Sequence, residues 1–250
     1  MLLVLEGAKG KLTLGRVRYK NTLPLFYKFN LPFVQIVEGT PSRLARLLDA
    51  GLIKGGILSS FYYIQNSTLY QPIPDISISS FGKSGSVLLF SEKPLKGIET
   101  VKPSGESLTS NFLTYSLFRK FLGKKVSFVG DAADAFLLIG DRALELSLSG
   151  KYRYIYDIGE LWYKHTGLPA VFALFIVPKE WATYNPKLFA ELTLTLIDSR
   201  EEFFKNLDTL PLDRGTKLYL KRLDYRFGED HLKSLELMEK LFKEYILGRF

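Results

Sequence analysis

Cysteine is absent from the 250 residues, and histidine occurs only as His165 and His231. The first absence removes disulfides, thiolate metal sites and a thiol nucleophile. The second leaves too few imidazoles for a three-His zinc centre, and no H-E-x-x-H spacing joins either one to carboxylates. Metal catalysis is therefore not expected. Long apolar runs are also missing: the longest after the start, Ala170 to Val177, falls far short of the roughly 20 residues that span a bilayer. Met1 to Leu5 is apolar, but Glu6 and Gly7 follow at once and no basic segment precedes it, so it does not read as a signal peptide. The expectation is a cytoplasmic protein with no membrane partner.

What is present is an ordinary globular composition with a net charge of +8. The charge is uneven. Residues 1–91 carry 10 basic and 4 acidic groups, 92–170 carry 11 and 9, and 171–250 carry 13 of each. The densest basic stretch, Lys9, Lys11, Arg16, Arg18 and Lys20, is interleaved with Leu12, Leu14 and Val17, as on the polar face of an exposed strand. That pattern favours a solvated strand over a nucleic-acid surface, so no nucleic-acid partner is expected. The excess can still gather a small anion by long-range attraction.

Short β-branched and aromatic runs alternate with helical patterns, which marks an α/β fold. The expected strands are 12–19, 33–37, 56–59, 86–90, 135–139, 154–156 and 171–177. Thr40 as N-cap, Pro41 in the first turn, apolar Leu44, Leu47 and Leu48, and Gly51 beyond the end define one helix. A second is expected from Thr109 to Leu122, stopped by Gly123, and the chain from Pro186 reads as helical, ending with Asp230 to Leu247. The second helix is entered through Ser104-Gly105-Glu106-Ser107-Leu108-Thr109-Ser110. Hydroxyls around free N–H groups at a helix start suit a carboxylate or phosphate, although simple capping would use the same residues. His165, in a segment that reads as a loop, and His231, in a charged helix, are expected at the surface.

Several segments in order resemble the family of menaquinone-biosynthesis enzymes that contains chorismate dehydratase. They are Gly15 to Leu25 with its Tyr19-x-Asn21-x-x-Pro24-Leu25 turn, Gly39 to Leu44, Ser59-Ser60, Ser86 to Ser91, Ser107 to Ser110, Leu138 to Leu144, Asp157 to Trp162 with Thr166 to Pro169, and Tyr225 to Gly228. The sequence departs from the family in carrying Lys54 where an acidic residue is usual, and Met1 to Lys11 looks like an added hairpin arm. The resemblance implies a two-lobed fold like a type 2 periplasmic binding protein, each lobe a mixed sheet flanked by helices, with the ligand in the cleft between them. Lobe I is then 1–91 plus 171–250 and lobe II is 92–170, with Pro94 and Pro178 at the hinge ends.

It also implies a lyase that removes water from chorismate, a small dicarboxylate, to give 3-[(1-carboxyvinyl)oxy]benzoate with no cofactor and no metal. Such an enzyme holds two anionic groups, places one proton acceptor and assists a leaving hydroxide. Ser107, Thr109 and Ser110, opposed across the cleft by Ser59, Ser60 and Ser86, are the substrate-binding candidates. Asn21, following the first strand, is the catalytic candidate: it either orients the leaving hydroxyl or a water, or fixes a substrate carboxylate that takes the proton. Asp141 either faces the cleft or caps the helix that begins beside it. The naphthoate-forming relative of the same family and a non-catalytic carboxylate-binding protein are the alternatives.

Overall fold

The computed structural model describes residues 11–247, so the suggested N-terminal arm, Lys11 apart, lies outside the described residues. The first lobe is built on β1 (Leu12–Val17), β2 (Val34–Gly39), β3 (Gly55–Ser59) and β4 (Tyr70–Ser80). The second holds β5 (Val87–Ser91), β6 (Thr100–Lys102), β7 (Ser127–Phe128), β8 (Ala135–Ile139) and β9 (Tyr154–Asp157), after which β10 (Ala170–Pro178) returns to the first. The sheet orders are β2-β1-β3-β10-β4 and β7-β6-β8-β5-β9. In each sheet four strands run the same way and only the fourth in order is antiparallel to its neighbours, and that fourth strand is the one that enters from the other lobe.

This arrangement moves the lobe boundary. Val87 to Ser91 pairs with β8 and β9 and belongs to the second sheet, so the first crossing runs through 81–86 and not through residue 91. The return crossing is at 167–169. Pro94 lies past β5 inside lobe II and Pro178 ends β10 inside lobe I, so neither marks a hinge. Strands 86–90 and 171–177 both looked like lobe I strands because each is continuously apolar, as a fully buried strand is in either sheet. Asp157 secures the first crossing. Its Oδ1 accepts from the Ser84 N–H and hydroxyl and from the Glu160 N–H, and its Oδ2 accepts from the Gly85 N–H at 2.7 Å. Gly159 is required there, because a Cβ would lie 2.5 Å from Ser80 Oγ and 2.8 Å from the Gly82 carbonyl.

Helix α1 (Pro41–Asp49) starts on the Thr40 cap, whose hydroxyl accepts the Arg43 N–H, and Gly51 follows it at φ 68°. Next come α2 (Ser60–Gln65), α3 (Leu108–Ser116) with a wide π turn over Leu117–Phe121, α4 (Gly140–Ser147) and α5 (Ile158–Thr166). The remaining helices are α6 (Lys179–Tyr184), α7 (Pro186–Asn206), α8 (Arg214–Arg222) and α9 (Glu229–Leu247). Among the described residues no helix is long and apolar enough to cross a membrane.

The basic stretch does not form an exposed strand. β1 ends at Val17, lies between β2 and β3, and buries Leu12, Leu14 and Val17; Arg18 and Lys20 lie beyond it. Lys54 is exposed and only its backbone engages β1, which explains why a basic residue is tolerated there. β4 has no counterpart among the expected strands, because Pro72 and Pro74 argue against a strand interior. It is an edge strand bonded to β10 alone within its sheet, where prolines are accommodated. Both histidines differ from expectation. His165 occupies the last turn of α5 and stacks on Phe121. His231 is buried, with Nε2 2.9 Å from Ser79 Oγ and 3.1 Å from Asp224 Oδ2.

Helix α9 joins the lobes from behind. Ser234 meets the Trp162 indole N–H of α5, and Phe242 contacts both Phe61 of α2 and Phe112 of α3. The core accordingly runs without a break from Leu44 and Leu58 of lobe I to Leu89 and Val101 of lobe II.

Candidate active site

A cavity of about 380 Å³ lies between the lobes at the carboxyl ends of β1, β3 and β8, where open α/β sheets place ligands. Ile57, Ile78, Val87 and Phe172 give it an apolar floor, and a small set of polar groups converges above them.

Asn21 stands on a 3-10 turn, Lys20–Phe26, that begins directly after β1. The turn is folded back by Thr22, whose N–H donates to the Tyr19 carbonyl and whose hydroxyl lies 2.9 Å from that oxygen and 3.0 Å from the Val17 carbonyl. Asn21 thereby reaches the cavity wall with its Oδ1 buried and unpartnered. Ser86 lines the same wall from the first crossing, 3.0 Å from the hydroxyl of Tyr219. Burial pushes the Tyr219 phenol up to about 12, so it is neutral at ordinary pH.

Across the cleft, Ser107 caps α3. Its Oγ accepts the Ser110 N–H and its hydroxyl donates to Ser110 Oγ at 2.8 Å. Ser107 and Ser110 both border the cavity. The first-turn N–H groups and the positive end of the helix dipole add to these hydroxyls, and together they suit an anion. Ser59 borders the cavity from lobe I and shares a 2.7 Å hydrogen bond with Thr109.

Two of the expected substrate contacts have another position. Ser60 and Thr109 are fully buried and off the cavity wall: Ser60 donates to the Val171 carbonyl, while Thr109 Oγ1 meets Ser59, Ser60 and the Phe61 N–H. They tie lobe II to lobe I behind the cavity. Asp141 does not cap α4 and does not border the cavity. Its Oδ1 is buried without a partner, near enough to Tyr19 and Tyr219 to raise both phenols.

Three further cavity residues carry chemistry. The Tyr19 hydroxyl donates to Glu106 Oε2 at 2.8 Å across the lobes, and burial together with that carboxylate holds the phenol well above its ordinary range. Arg46 is the cation of the wall among the described residues, contributed by the exposed face of α1. In the sequence Arg46 reads as the polar side of an amphipathic helix. Tyr219, one layer behind Ser86, sits in Arg214–Arg222 at the spacing of an ordinary core aromatic, and nothing in that segment separates the two uses.

The sequence model for menaquinone biosynthesis matches residues 12–244. A chorismate dehydratase of Thermus thermophilus is 29% identical over 190 residues, covering 67% of this chain and 70% of that protein. A chorismate dehydratase of Campylobacter jejuni is 31% identical over 179 residues, covering 68% and 70%. Among solved structures, a protein of Archaeoglobus fulgidus superposes with a TM-score of 0.65 at 15% identity, covering 95% of this chain and 99% of its own. The periplasmic aliphatic sulphonate binding protein of Escherichia coli does so at 0.62 and 15%, covering 95% and 93%. At such identities these structures establish the fold alone, and it is the two-lobed fold of periplasmic binding proteins.

Proposed function

We propose, for a chain that belongs to the menaquinone-biosynthesis family, that it is a lyase dehydrating chorismate to 3-[(1-carboxyvinyl)oxy]benzoate, in the cytoplasm, on the futalosine route to menaquinone. The observation that carries this reading is the cavity between the lobes, whose wall brings Asn21 of lobe I together with the hydroxyl-rich start of α3 in lobe II. One substrate carboxylate lies against Ser107, Ser110 and the α3 N–H groups, with Ser59 and Arg46 at the sides. The ring rests on the apolar floor. Closure of the lobes around it excludes water and fixes the reacting conformation.

The ring proton beside the enol ether passes to the substrate's own enolpyruvyl carboxylate. That group delivers it to the adjacent hydroxyl, which leaves as water while the C–H electron pair completes the aromatic ring. Atoms and electrons balance without an added oxidant or reductant. Asn21 accepts a hydrogen bond from the departing hydroxyl and turns its lone pair toward the incoming proton. Ser86 holds the neighbouring edge.

The test is incubation of the purified protein with chorismate, followed by absorbance and mass. A product lighter by one water with a benzoate spectrum is expected. Unchanged chorismate with saturable binding would reassign the protein to the carboxylate-binding class.

A further inference from the structure

We propose that Tyr19 and Glu106 are positioning residues, a clasp between the lobes that sets the distance from the Asn21 turn to the anion subsite at the start of α3. The geometry stands by itself, and the consequence for turnover rests on the proposed lyase reading. Among the described residues, the Tyr19–Glu106 hydrogen bond is the one between side chains of different lobes whose two partners both border the cavity. The other ties lie elsewhere. Thr109 meets Ser59 and Ser60 behind the cavity, and Trp162 and Lys120 of lobe II reach Ser234 and Glu244 of α9. Ser86, whose partner Tyr219 is off the wall, belongs to the first crossing.

Each member of the clasp is anchored to one half of the site. Tyr19 closes the turn that presents Asn21: its carbonyl accepts the Thr22 N–H at 3.1 Å, and the Thr22 hydroxyl lies 2.9 Å from the same oxygen. Glu106 precedes Ser107, the cap of α3, and its loop is braced onto that helix. The Asn111 amide accepts the Ser104 N–H and donates to the Ser104 carbonyl, both at 2.8 Å, and Ser104 Oγ accepts the Glu106 N–H at 3.2 Å. A pull on the carboxylate therefore moves the α3 entrance as a unit, and a pull on the phenol moves the Asn21 turn. The lobes are joined by two short crossings, 81–86 and 167–169, and hinge motion of two-lobed folds is absorbed in such segments. Rotation about them parts Tyr19 from Glu106, and formation of the bond stops the lobes at one spacing. A phenol donating to a carboxylate is a charge-assisted bond with a narrow range of length, which is what a stop requires. The Tyr19 ring also lies against Gly140 of lobe II, where a Cβ would stand 3.8 Å from it.

The chain has no cysteine, so Arg43→Cys on α1 and Leu148→Cys beyond α4, both at exposed positions, take one spin label each in lobe I and lobe II. Pulsed electron paramagnetic resonance then reads the interlobe distance with no substrate added. Tyr19→Phe keeps the ring contact and deletes only the hydroxyl. It is expected to raise the ratio of the longer-distance to the shorter-distance population by about three-fold or more, as suits a half-exposed bond to a charged group. Glu106→Ala does the same, and the two together do no more than either alone. Glu106→Gln, whose amide oxygen still accepts from the phenol, keeps the parent distribution. With chorismate, Tyr19→Phe lowers kcat by about five-fold or more with KM within about two-fold, because the spacing of the two halves matters at the reacting atoms. An unchanged distribution in Tyr19→Phe and Glu106→Ala, or additive effects of the pair, overturns the clasp whether or not chorismate is turned over. A shifted distribution with wild-type kcat overturns its positioning role. Where no form of the protein turns over chorismate, the distance measurement alone decides, so a failure of the lyase reading is seen separately.

Discussion

The two lobes have the same sheet order, yet the same places in them carry different chemistry. After β1 the chain makes a 3-10 turn that delivers the amide of Asn21; after β6, the matching strand, it makes a loop that delivers the capped start of α3. β3 ends on Ser59, a hydroxyl on the cavity wall that caps α2; β8, the strand that corresponds to it, ends on Ile139, which lines the same cavity with no polar group to offer. Topology therefore fixes where functional residues stand, and the first few residues past each strand decide what they do. Under the proposed lyase reading, lobe I supplies the polar group nearest the reacting atoms, and lobe II supplies the donors for an anionic group.

That division can be broken by experiment. Asn21→Ala is expected to have the largest effect, a loss of about 100-fold or more in kcat with substrate affinity nearly kept, as for other positioned polar groups at a developing charge. A loss confined to KM would show that lobe I also only binds. Ser107→Ala, together with Ser110→Ala, is expected to raise KM by about ten-fold or more and to change kcat less, since two hydroxyls are removed from one anion subsite. An unchanged KM would move the anion elsewhere. The smallest effect belongs to Thr109→Val. It removes the oxygen that Ser59, Ser60 and the Phe61 N–H share and leaves that N–H without its acceptor, so thermal denaturation should show about 1–3 kcal/mol of lost stability. The variant should otherwise turn over substrate with a near-normal KM; a KM change like that of Ser107→Ala would place Thr109 in the anion subsite after all.

Much of the frame was legible in the chain. Thr40, Pro41 and Gly51 punctuate α1 by side-chain capping and a left-handed stop, and both signals are local. The order of short motifs pointed to the family and to Asn21, Ser59, Ser86, Ser107 and Ser110, all of which border the cavity. Ser60 and Thr109 lie in the same motifs but face inward, and adjacent residues on a helix start differ in direction by about 100°, which a motif alone does not reveal. The lobe assignment of β5 was illegible because an apolar strand carries no mark of the sheet it joins. His231 was hidden by its charged neighbours on α9, since its partners Ser79 and Asp224 are brought to it only by tertiary contact. Tyr219 was hidden for the opposite reason: it looks like core, and its ring is core, while its one polar atom meets Ser86 at the cavity wall.

The placement of β10 also sets an order of events during synthesis. Lobe II is a continuous stretch whose sheet, β5 through β9, is complete once residue 157 has been made. Lobe I has to wait, because β10 lies between β3 and β4, and until it arrives β4 has no sheet partner to pair with. The domain begun first at the ribosome is thus finished second. Its four early strands stay incomplete through the making of about a hundred further residues, a long interval at translation rates of roughly 5–20 residues per second. The apolar β3, which opens with Gly55 and Gly56, is the segment a chaperone would meet exposed in that interval.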